Sequence, residues 1–201
     1  ALAAKRLLGG GAAAYVSKTQ FAINANTRYE YEVKARNNAL GVYAGVPFAI
    51  DSNNKVYFAY GNFNNQSTGN KSYIIAAHGA TPADIKTDAK YYKELQQENI
   101  EYLYNAGQGK ELMTSGAYFA TLKFVYEGLT VTIYAKDTTG EFVQIGDSIE
   151  VAEGSKIAFG IYSSDSPDGT NYTSAIMDVN IRALNKEAVD AMGDVVEVET
   201  E

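Results

Sequence analysis

The stretch from Gly116 to Arg182 contains Tyr118-Phe-Ala-Thr-Leu-Lys-Phe-Val-Tyr126, then Leu129-Thr-Val-Thr-Ile-Tyr-Ala135, Lys156-Ile-Ala-Phe-Gly-Ile-Tyr162 and Ala175-Ile-Met-Asp-Val-Asn-Ile181. Each segment places apolar residues at every second position, which is the pattern of antiparallel strands with one buried and one polar face. Four such segments in succession predict an all-β fold, a two-sheet antiparallel β-sandwich.

The first half of the chain continues this pattern. Tyr29, Tyr31, Val33 and Ala35 alternate with charged residues, which predicts a strand with one charged face. Two apolar runs, 40–51 and 56–60, are joined by Asp51-Ser-Asn-Asn54, so we expect a hairpin there. The segment from Pro82 to Gln97 has apolar residues at roughly helical spacing, which predicts a short helical insertion in the sandwich.

The chain ends differ in composition from the middle and suggest three parts. Residues 1–18 are expected to be a linker or N-terminal cap, because Ala1 to Leu8 has helical composition and stops at three glycines. Residues 19–185 form the predicted sandwich domain. Residues 186–201 are expected to be an acidic C-terminal tail or linker, since no Lys or Arg follows Glu187. These ends suggest an excised module of a longer, multimodular polypeptide, with other modules of that polypeptide as partners.

Composition excludes several classes of function. With 46% hydrophobic and 20% charged residues the chain is globular, and no apolar run is long enough to insert across a membrane. A net charge of -7 argues against nucleic acid, because phosphate binding needs a concentrated positive surface, and favours a neutral ligand. Cysteine is absent, so disulfides and thiolate chemistry are excluded. Its absence favours a bacterial protein that is secreted or on the cell surface.

Three motifs resemble the closing strands of concanavalin A-like and laminin G-like (jelly-roll) sandwich domains. They are the hairpin from Tyr118 through Glu127-Gly-Leu-Thr-Val-Thr-Ile-Tyr134, the strand Ile157-Ala-Phe-Gly-Ile-Tyr-Ser163 and the last strand, Met177-Asp-Val-Asn-Ile181. The resemblance covers roughly Phe21 to Leu184. It implies a concanavalin-like or jelly-roll sandwich of the kind found in lectins, in carbohydrate-binding modules of bacterial polysaccharide-degrading enzymes, and in glucan hydrolases.

Tyrosine is the residue type that would bind a glycan here. Carbohydrate-binding members of the family usually stack sugars on Trp, which this chain lacks, whereas it has 16 Tyr against 8 Phe. A tyrosine offers a ring face to sugar C–H groups and a hydroxyl for hydrogen bonds. We expect Tyr43, Tyr57 and Tyr134 to stack on sugar rings. The alternative, that tyrosine simply replaces Ile or Val on strands, stays open.

Polar residues in turns and loops are the second group of candidate ligand residues. Loops at one end of a sandwich can supply hydrogen-bonding groups that the strands hold in place. The same residue types also dominate ordinary turns for backbone reasons. The candidates for reading sugar hydroxyls are Asp51, Asn64, Asn65, Asn171 and Tyr172.

The interpretation as a non-catalytic carbohydrate-binding module, binding a poly- or oligosaccharide, has two alternatives. One is a structural or adhesive module that binds protein or spaces domains. The other is a glycoside hydrolase, which needs two carboxylates at a defined separation. The Glu-x-Asp-x-x-Glu motif of sandwich glucanases is absent, and Arg28, Lys34 and Arg36 share the strand face of Glu30 and Glu32 and would keep both ionised. We therefore expect no enzyme activity.

Calcium is the one cofactor expected, because oxygen-only sites suit an acidic chain without cysteine, and jelly-roll modules commonly carry a structural ion. By the resemblance, Asp178 on the last strand is the metal-ligand candidate.

Overall fold

Two antiparallel sheets face each other in this protein. The computed structural model describes residues 2–5, 13–38, 44–60, 75–79, 93–94, 120–136, 140–144, 147–163 and 173–193. Within these residues there are strands in two sheets and one short helix, so the predicted all-β sandwich is confirmed. No helix in this part of the chain is long and apolar enough to cross a membrane.

In the seven-stranded sheet, the strand that comes last among the described residues lies between two strands from the first 38 residues. Its strands are β1 (Leu2–Lys5), β4 (Arg28–Asn38), β9 (Ala120–Glu127), β10 (Thr130–Lys136), β11 (Phe142–Gln144), β12 (Ile149–Glu150) and β15 (Thr173–Ala183). They are ordered β1-β15-β4-β9-β10-β11, and β12 also pairs with β10. Strands β9, β10 and β15 confirm the segments from which the fold was predicted.

The eight-stranded sheet packs against the first. Its strands are β2 (Ala13–Val16), β3 (Phe21–Ala22), β5 (Ala44–Ile50), β6 (Val56–Tyr60), β7 (Ile75–Gly79), β8 (Lys93–Glu94), β13 (Lys156–Ile157) and β14 (Gly160–Ser163). They are ordered β2-β14-β5-β6-β7-β8, and β13 pairs with both β3 and β5. The hairpin expected around Asp51 is the β5–β6 connection.

The core lies between the sheets and is rich in aromatic side chains. The rings of Phe48 and Phe124, from opposite sheets, stack with their centroids 4.8 Å apart, and Tyr31 stacks on Phe124 at 5.2 Å. All three side chains are fully buried, which contributes about 2 kcal/mol each to folding. The Tyr126 hydroxyl donates a hydrogen bond to the Phe48 carbonyl at 2.6 Å, so a polar contact also joins the two sheets.

A two-residue turn fixes the register of the β9–β10 hairpin. Gly128 has a φ of 61°, and its N–H donates to the Thr27 carbonyl at 2.9 Å. A positive φ at the first central residue is the geometry of a type II′ turn, whose twist matches that of the strands. A Cβ at Gly128 would also lie 2.9 Å from the Ala25 carbonyl oxygen, so the turn needs glycine for its φ and for close approach.

A β-bulge in β5 changes which side chains of the β5–β6 hairpin point into the core. The register shifts between Pro47 and Ala49, so Ala49, and not Ile50, joins Val46 and Phe48 in the core cluster. One extra residue in a strand reverses the side on which the following side chains lie. Tyr57 pairs with Ala49 and therefore lies in the core, whereas the alternation in the sequence predicts it on the opposite face.

Both chain ends differ from the expected linker and tail. Part of the N-terminal segment forms strands β1 and β2, which pair with β15 and β14 at the sheet edges. The local helical composition is overridden because these residues complete backbone ladders of both sheets. At the other end, helix α1 (Lys186–Gly193) follows β15 directly, and its Ala188 is buried in the core cluster. Residues 194–201 lie outside the described residues.

The helical insertion predicted at 82–97 falls mostly outside the described residues. Its one described part, Lys93–Glu94, is the short strand β8, paired with β7. The helix that the structure describes begins instead after Asn185. The Asn185 side chain caps its first turn by accepting a hydrogen bond from the Ala188 N–H at 3.1 Å.

Candidate functional site

The outer face of the seven-stranded sheet, on the side away from the core, carries Tyr134. In β10 the residues Val131, Ile133 and Ala135 are buried, and the residues between them are half-buried. Tyr134 is therefore half-buried on the outer face. In the register it lies between Lys123 of β9 and Gln144 of β11.

Phe142 is a second aromatic side chain on this face, because it pairs with Lys136 two residues along β10 from Tyr134. Two ammonium groups lie over its ring. The Lys123 Nζ is 3.8 Å from the Phe142 centroid and 5.5 Å from that of Tyr134, and the Lys136 Nζ is 5.4 Å from the Phe142 centroid. Distances within about 6 Å are those of cation–π contacts. We call Lys123, Tyr134, Lys136 and Phe142 the outer aromatic surface.

The other half of the same face is organised by ion pairs. Lys34 of β4 contacts the Asp178 carboxylate of β15 at 2.6 Å, and Arg182 of β15 contacts Glu30 of β4 at 2.6 Å. Glu30 is thus paired with a cation from the neighbouring strand rather than with one from its own strand.

Asp178, the metal-ligand candidate, lies where β15 departs from regular geometry. The register with β4 shifts between Met177 and Asn180, and Asp178 has a φ of 53°. The side chain is exposed and its carboxylate is paired with Lys34. Among the described residues there is no group of three His, Cys, Asp or Glu side chains that could hold a metal ion. Calcium binding by Asp178 stays a prediction.

Asp51 stabilises its own turn. It is 8% exposed, and its Oδ1 accepts hydrogen bonds from the Asn53 and Lys55 N–H groups at 2.8 and 2.9 Å. This is the Asx-turn chemistry that places Asp at such positions. These two hydrogen bonds explain why an Asp stands at position 51 in the hairpin turn, and the explanation needs no ligand.

Tyr57 is enclosed between the sheets. It is 1% exposed, its ring centroid lies 6.2 Å from that of Phe48, and its hydroxyl accepts a hydrogen bond from the Ala152 N–H at 3.0 Å. A ring in this position presents no face to a sugar. The surroundings of Gly45 are also filled, since a Cβ there would lie 2.5 Å from the Phe58 ring.

Five candidate ligand residues lie outside the described residues, so the structure does not test whether they are near Tyr134. Their roles stay predictions. They are Tyr43, Asn64, Asn65, Asn171 and Tyr172.

Sequence reasoning missed Phe142 and both lysines of the outer aromatic surface. The β9–β10 hairpin contained a usable signal, because a two-residue turn at Gly128 places Lys123 directly opposite Tyr134. Phe142 had no such signal. The residues between β10 and β11 show no pattern that fixes how the two strands pair.

No protein-family model matches the chain, and a search of curated proteins finds no match. Solved structures similar to it include a legume lectin-like domain from Entamoeba histolytica, with 11% identity, a TM-score of 0.46, and 90% of this chain and 84% of the other covered. The carbohydrate binding module CBM66 from Bacillus subtilis has 14% identity and a TM-score of 0.41, with 87% and 84% covered. An alginate lyase from Corynebacterium sp. has 13% identity and a TM-score of 0.43, with 83% and 62% covered.

A lectin-like domain and a carbohydrate binding module are thus among the structures to which this chain is similar. The chain spans less than two thirds of the lyase. Binding modules and enzymes both occur with this architecture, so the fold alone does not choose between them.

Proposed function

We propose that this chain is a non-catalytic carbohydrate-binding module that holds a poly- or oligosaccharide against the outer face of its seven-stranded sheet. The observation that carries the proposal is the position of Tyr134. It is the predicted stacking residue that the structure describes at the surface, with Lys123 and Gln144 beside it in the register. Sugar rings have apolar C–H faces and polar edges, and this combination of an aromatic ring with polar neighbours suits both.

The strands that carry Tyr134 favour binding through preorganisation. Strand β10 is hydrogen-bonded to β9 on one side and to β11 and β12 on the other, so the backbone under the ring is held in place. Thr132 on the same face shares a hydrogen bond of 2.7 Å with Ser148, which ties the next polar side chain to the neighbouring segment. A ligand that binds a surface already ordered loses less affinity to conformational entropy.

The proposal also covers the parent protein and the candidate residues that lie outside the described part of the chain. The module would belong to a secreted or cell-surface bacterial protein with further modules in the same polypeptide, as its composition suggests. Tyr43 and the loop residues Asn64, Asn65, Asn171 and Tyr172 would extend the ligand surface, and Asp178 would hold a structural Ca²⁺. Each of these roles is a proposal with its own variant to test.

Affinity electrophoresis through gels containing a panel of soluble polysaccharides, followed by calorimetry on the ones that retard the protein, tests this function. We expect saturable binding without release of reducing sugar. Tyr134→Ala should lower affinity about tenfold or more, because the stacking face is lost, whereas Tyr134→Phe should retain most of the affinity. Calorimetry with and without Ca²⁺ tests the structural ion separately.

A matched control is Thr130→Ala, which removes an exposed side chain from the other end of the same strand and should leave binding unchanged. Two results would contradict the proposal. Failure of the folded protein to bind any polysaccharide would favour a structural or protein-binding module. Release of reducing sugar that is lost in Glu30→Gln or Glu32→Gln would favour a hydrolase.

A further inference from the structure

Two lysines of the outer aromatic surface hold their charges over rings instead of against carboxylates. The Lys123 ammonium is 3.8 Å from the Phe142 centroid, and the Lys136 ammonium is 5.4 Å from the same point. In the part of the chain that the structure describes, neither lysine forms a salt bridge. Two positive charges therefore converge on one half-buried aromatic ring of the outer face.

Three other cations among the described residues are paired. Lys34, Arg182 and Lys186 contact carboxylates at 2.6, 2.6 and 2.9 Å. Glu32 lies directly opposite Lys123 in the strand register and is the nearest acidic residue in that row, yet it does not form an ion pair with it. The Lys123 side chain extends instead past Tyr134 towards Phe142. Its charge is therefore held over an aromatic ring of the outer face.

We propose that the ligand of the outer aromatic surface is an anionic polysaccharide, with carboxylate or sulfate groups on its sugars. This inference rests on the carbohydrate-binding function proposed above. Tyr134 stacks on a sugar ring, and Lys123 and Lys136 contact the anionic substituents of that sugar and the next one along. A neutral sugar would have to displace the Lys123 ammonium to reach the Phe142 face, whereas an anionic one gains a charge-assisted contact from the same ammonium.

The net charge of -7, which by itself favours a neutral ligand, is unevenly distributed along the chain. Residues 187–201 contain six acidic residues and no Lys or Arg, so they account for -6 of it. The described part of that segment belongs to helix α1, which packs against β15, β4 and β3. Charges within about 8–10 Å act most strongly on a ligand at physiological ionic strength, so Lys123 and Lys136 attract an anionic group at this surface despite the net charge of the chain.

Calorimetry against neutral and acidic polysaccharides tests this inference. The neutral set is dextran, xylan and galactomannan, the carboxylated set alginate and polygalacturonate, and the sulfated set carrageenan and dextran sulfate. We expect the tightest binding in one of the acidic sets, and the set in which it occurs identifies the anionic group. Raising NaCl from about 0.05 M to about 0.5 M should weaken that binding about tenfold, because ion pairs at an exposed surface are screened.

Lysine variants test whether the ammonium groups of Lys123 and Lys136 bind the anionic groups of the polysaccharide. Lys123→Gln and Lys136→Gln should each lower affinity for the acidic polymer about three- to fivefold, and the double variant about tenfold or more. Lys34→Gln is the matched control, with the same charge change on the same face but outside the outer aromatic surface, and should change affinity less than twofold. Thermal unfolding of each variant identifies any loss of binding that arises from misfolding.

The outcomes separate this inference from the proposed function. If a neutral polymer binds tightest, its binding is lost in Tyr134→Ala, and the lysine variants bind it normally, the carbohydrate-binding function stands and the anionic ligand is wrong. If no polymer of any set binds, both are wrong. Equal losses in Lys34→Gln and Lys123→Gln would also contradict the inference, since the effect would then come from overall charge.

Discussion

Two buried tyrosines on neighbouring strands, Tyr31 and Tyr126, differ in what their hydroxyls contact. The Tyr126 hydroxyl donates to the Phe48 carbonyl, whereas the Tyr31 hydroxyl is buried with no hydrogen-bond partner. Removing one member of a buried hydrogen bond costs more than the bond itself contributes, because the other member is left unpaired. Removing an unpaired buried hydroxyl relieves a desolvation cost instead.

The two Tyr→Phe variants should therefore change stability in different directions. We expect Tyr126→Phe to lower the free energy of unfolding by about 1–2 kcal/mol, and Tyr31→Phe to leave it unchanged or raise it by up to about 1 kcal/mol. Urea unfolding of both variants beside the wild type measures the difference. A loss in Tyr31→Phe as large as that in Tyr126→Phe would contradict this account of the two hydroxyls.

At the scale of residues, the sequence predicts burial better than contacts. Tyr29, Tyr31, Val33 and Ala35 follow a strict alternation, and all four are buried as predicted. Tyr57 was assigned to the wrong side because one bulge residue in the partner strand reverses the alternation, and nothing in the apolar pattern marks a bulge. Tyr134 lies on the outer face, as the alternation of apolar residues in β10 predicts, whereas its role in stacking stays a prediction.

At the scale of elements, Asn185 joins helix α1 to the sandwich. Its Oδ1 accepts hydrogen bonds from the Arg28 and Ala188 N–H groups, both at 3.1 Å, and its Nδ2 donates to the Asn26 carbonyl at 2.7 Å. One side chain thus caps the helix and binds it to the start of β4. The charge pattern of the C-terminal segment, which predicts a solvated tail, carries no information on this contact.

Asn185→Ala should detach the helix start and lower the free energy of unfolding by about 1–2 kcal/mol, since it removes the cap and leaves backbone groups unpaired. Lys186→Ala is the control. It removes an ion pair with Asp190 at 2.9 Å that is exposed to solvent, and should therefore change stability much less than Asn185→Ala. Thermal unfolding compares them, and hydrogen exchange at the Ala188 N–H reports on the helix start directly. Equal effects of the two substitutions would show that the cap is unimportant.

At the scale of the whole molecule, buried tyrosines make stability depend on alkaline pH. Burial raises the pKa of the Tyr29 and Tyr31 hydroxyls, and burial together with the proximity of Tyr31 raises the pKa of Tyr126. Below a pH of about 10 these hydroxyls stay protonated in both folded and unfolded chains, so they do not make stability change with pH. Above it, the unfolded chain releases protons that the folded chain retains, and stability falls.

A tyrosine that stays protonated in the folded chain while it ionises in the unfolded chain lowers stability by about 1.4 kcal/mol per pH unit, so we expect cooperative alkaline unfolding, with the fully buried Tyr31 and Tyr126 contributing most. Phenolate absorbance and far-UV circular dichroism, followed together through an alkaline titration, test this. Part of the phenolate signal should develop only as the circular dichroism of the fold is lost. If every tyrosine ionises while that signal stays native, the burial of the three hydroxyls does not govern alkaline stability.

The position of β15 has a consequence for the order in which the chain acquires its structure. The last strand, Thr173–Ala183, is inserted between β4 near the start of the chain and the N-terminal β1. Neither strand gains this neighbour until residues 173–183 have been made. A nascent chain therefore carries unpaired edges on both strands until then, and closing the sheet links residues more than 130 positions apart, such as Met177↔Lys34 and Leu2↔Ile176. Such long-range pairing is slow and exposes intermediates to aggregation, so we expect productive folding to wait for β15.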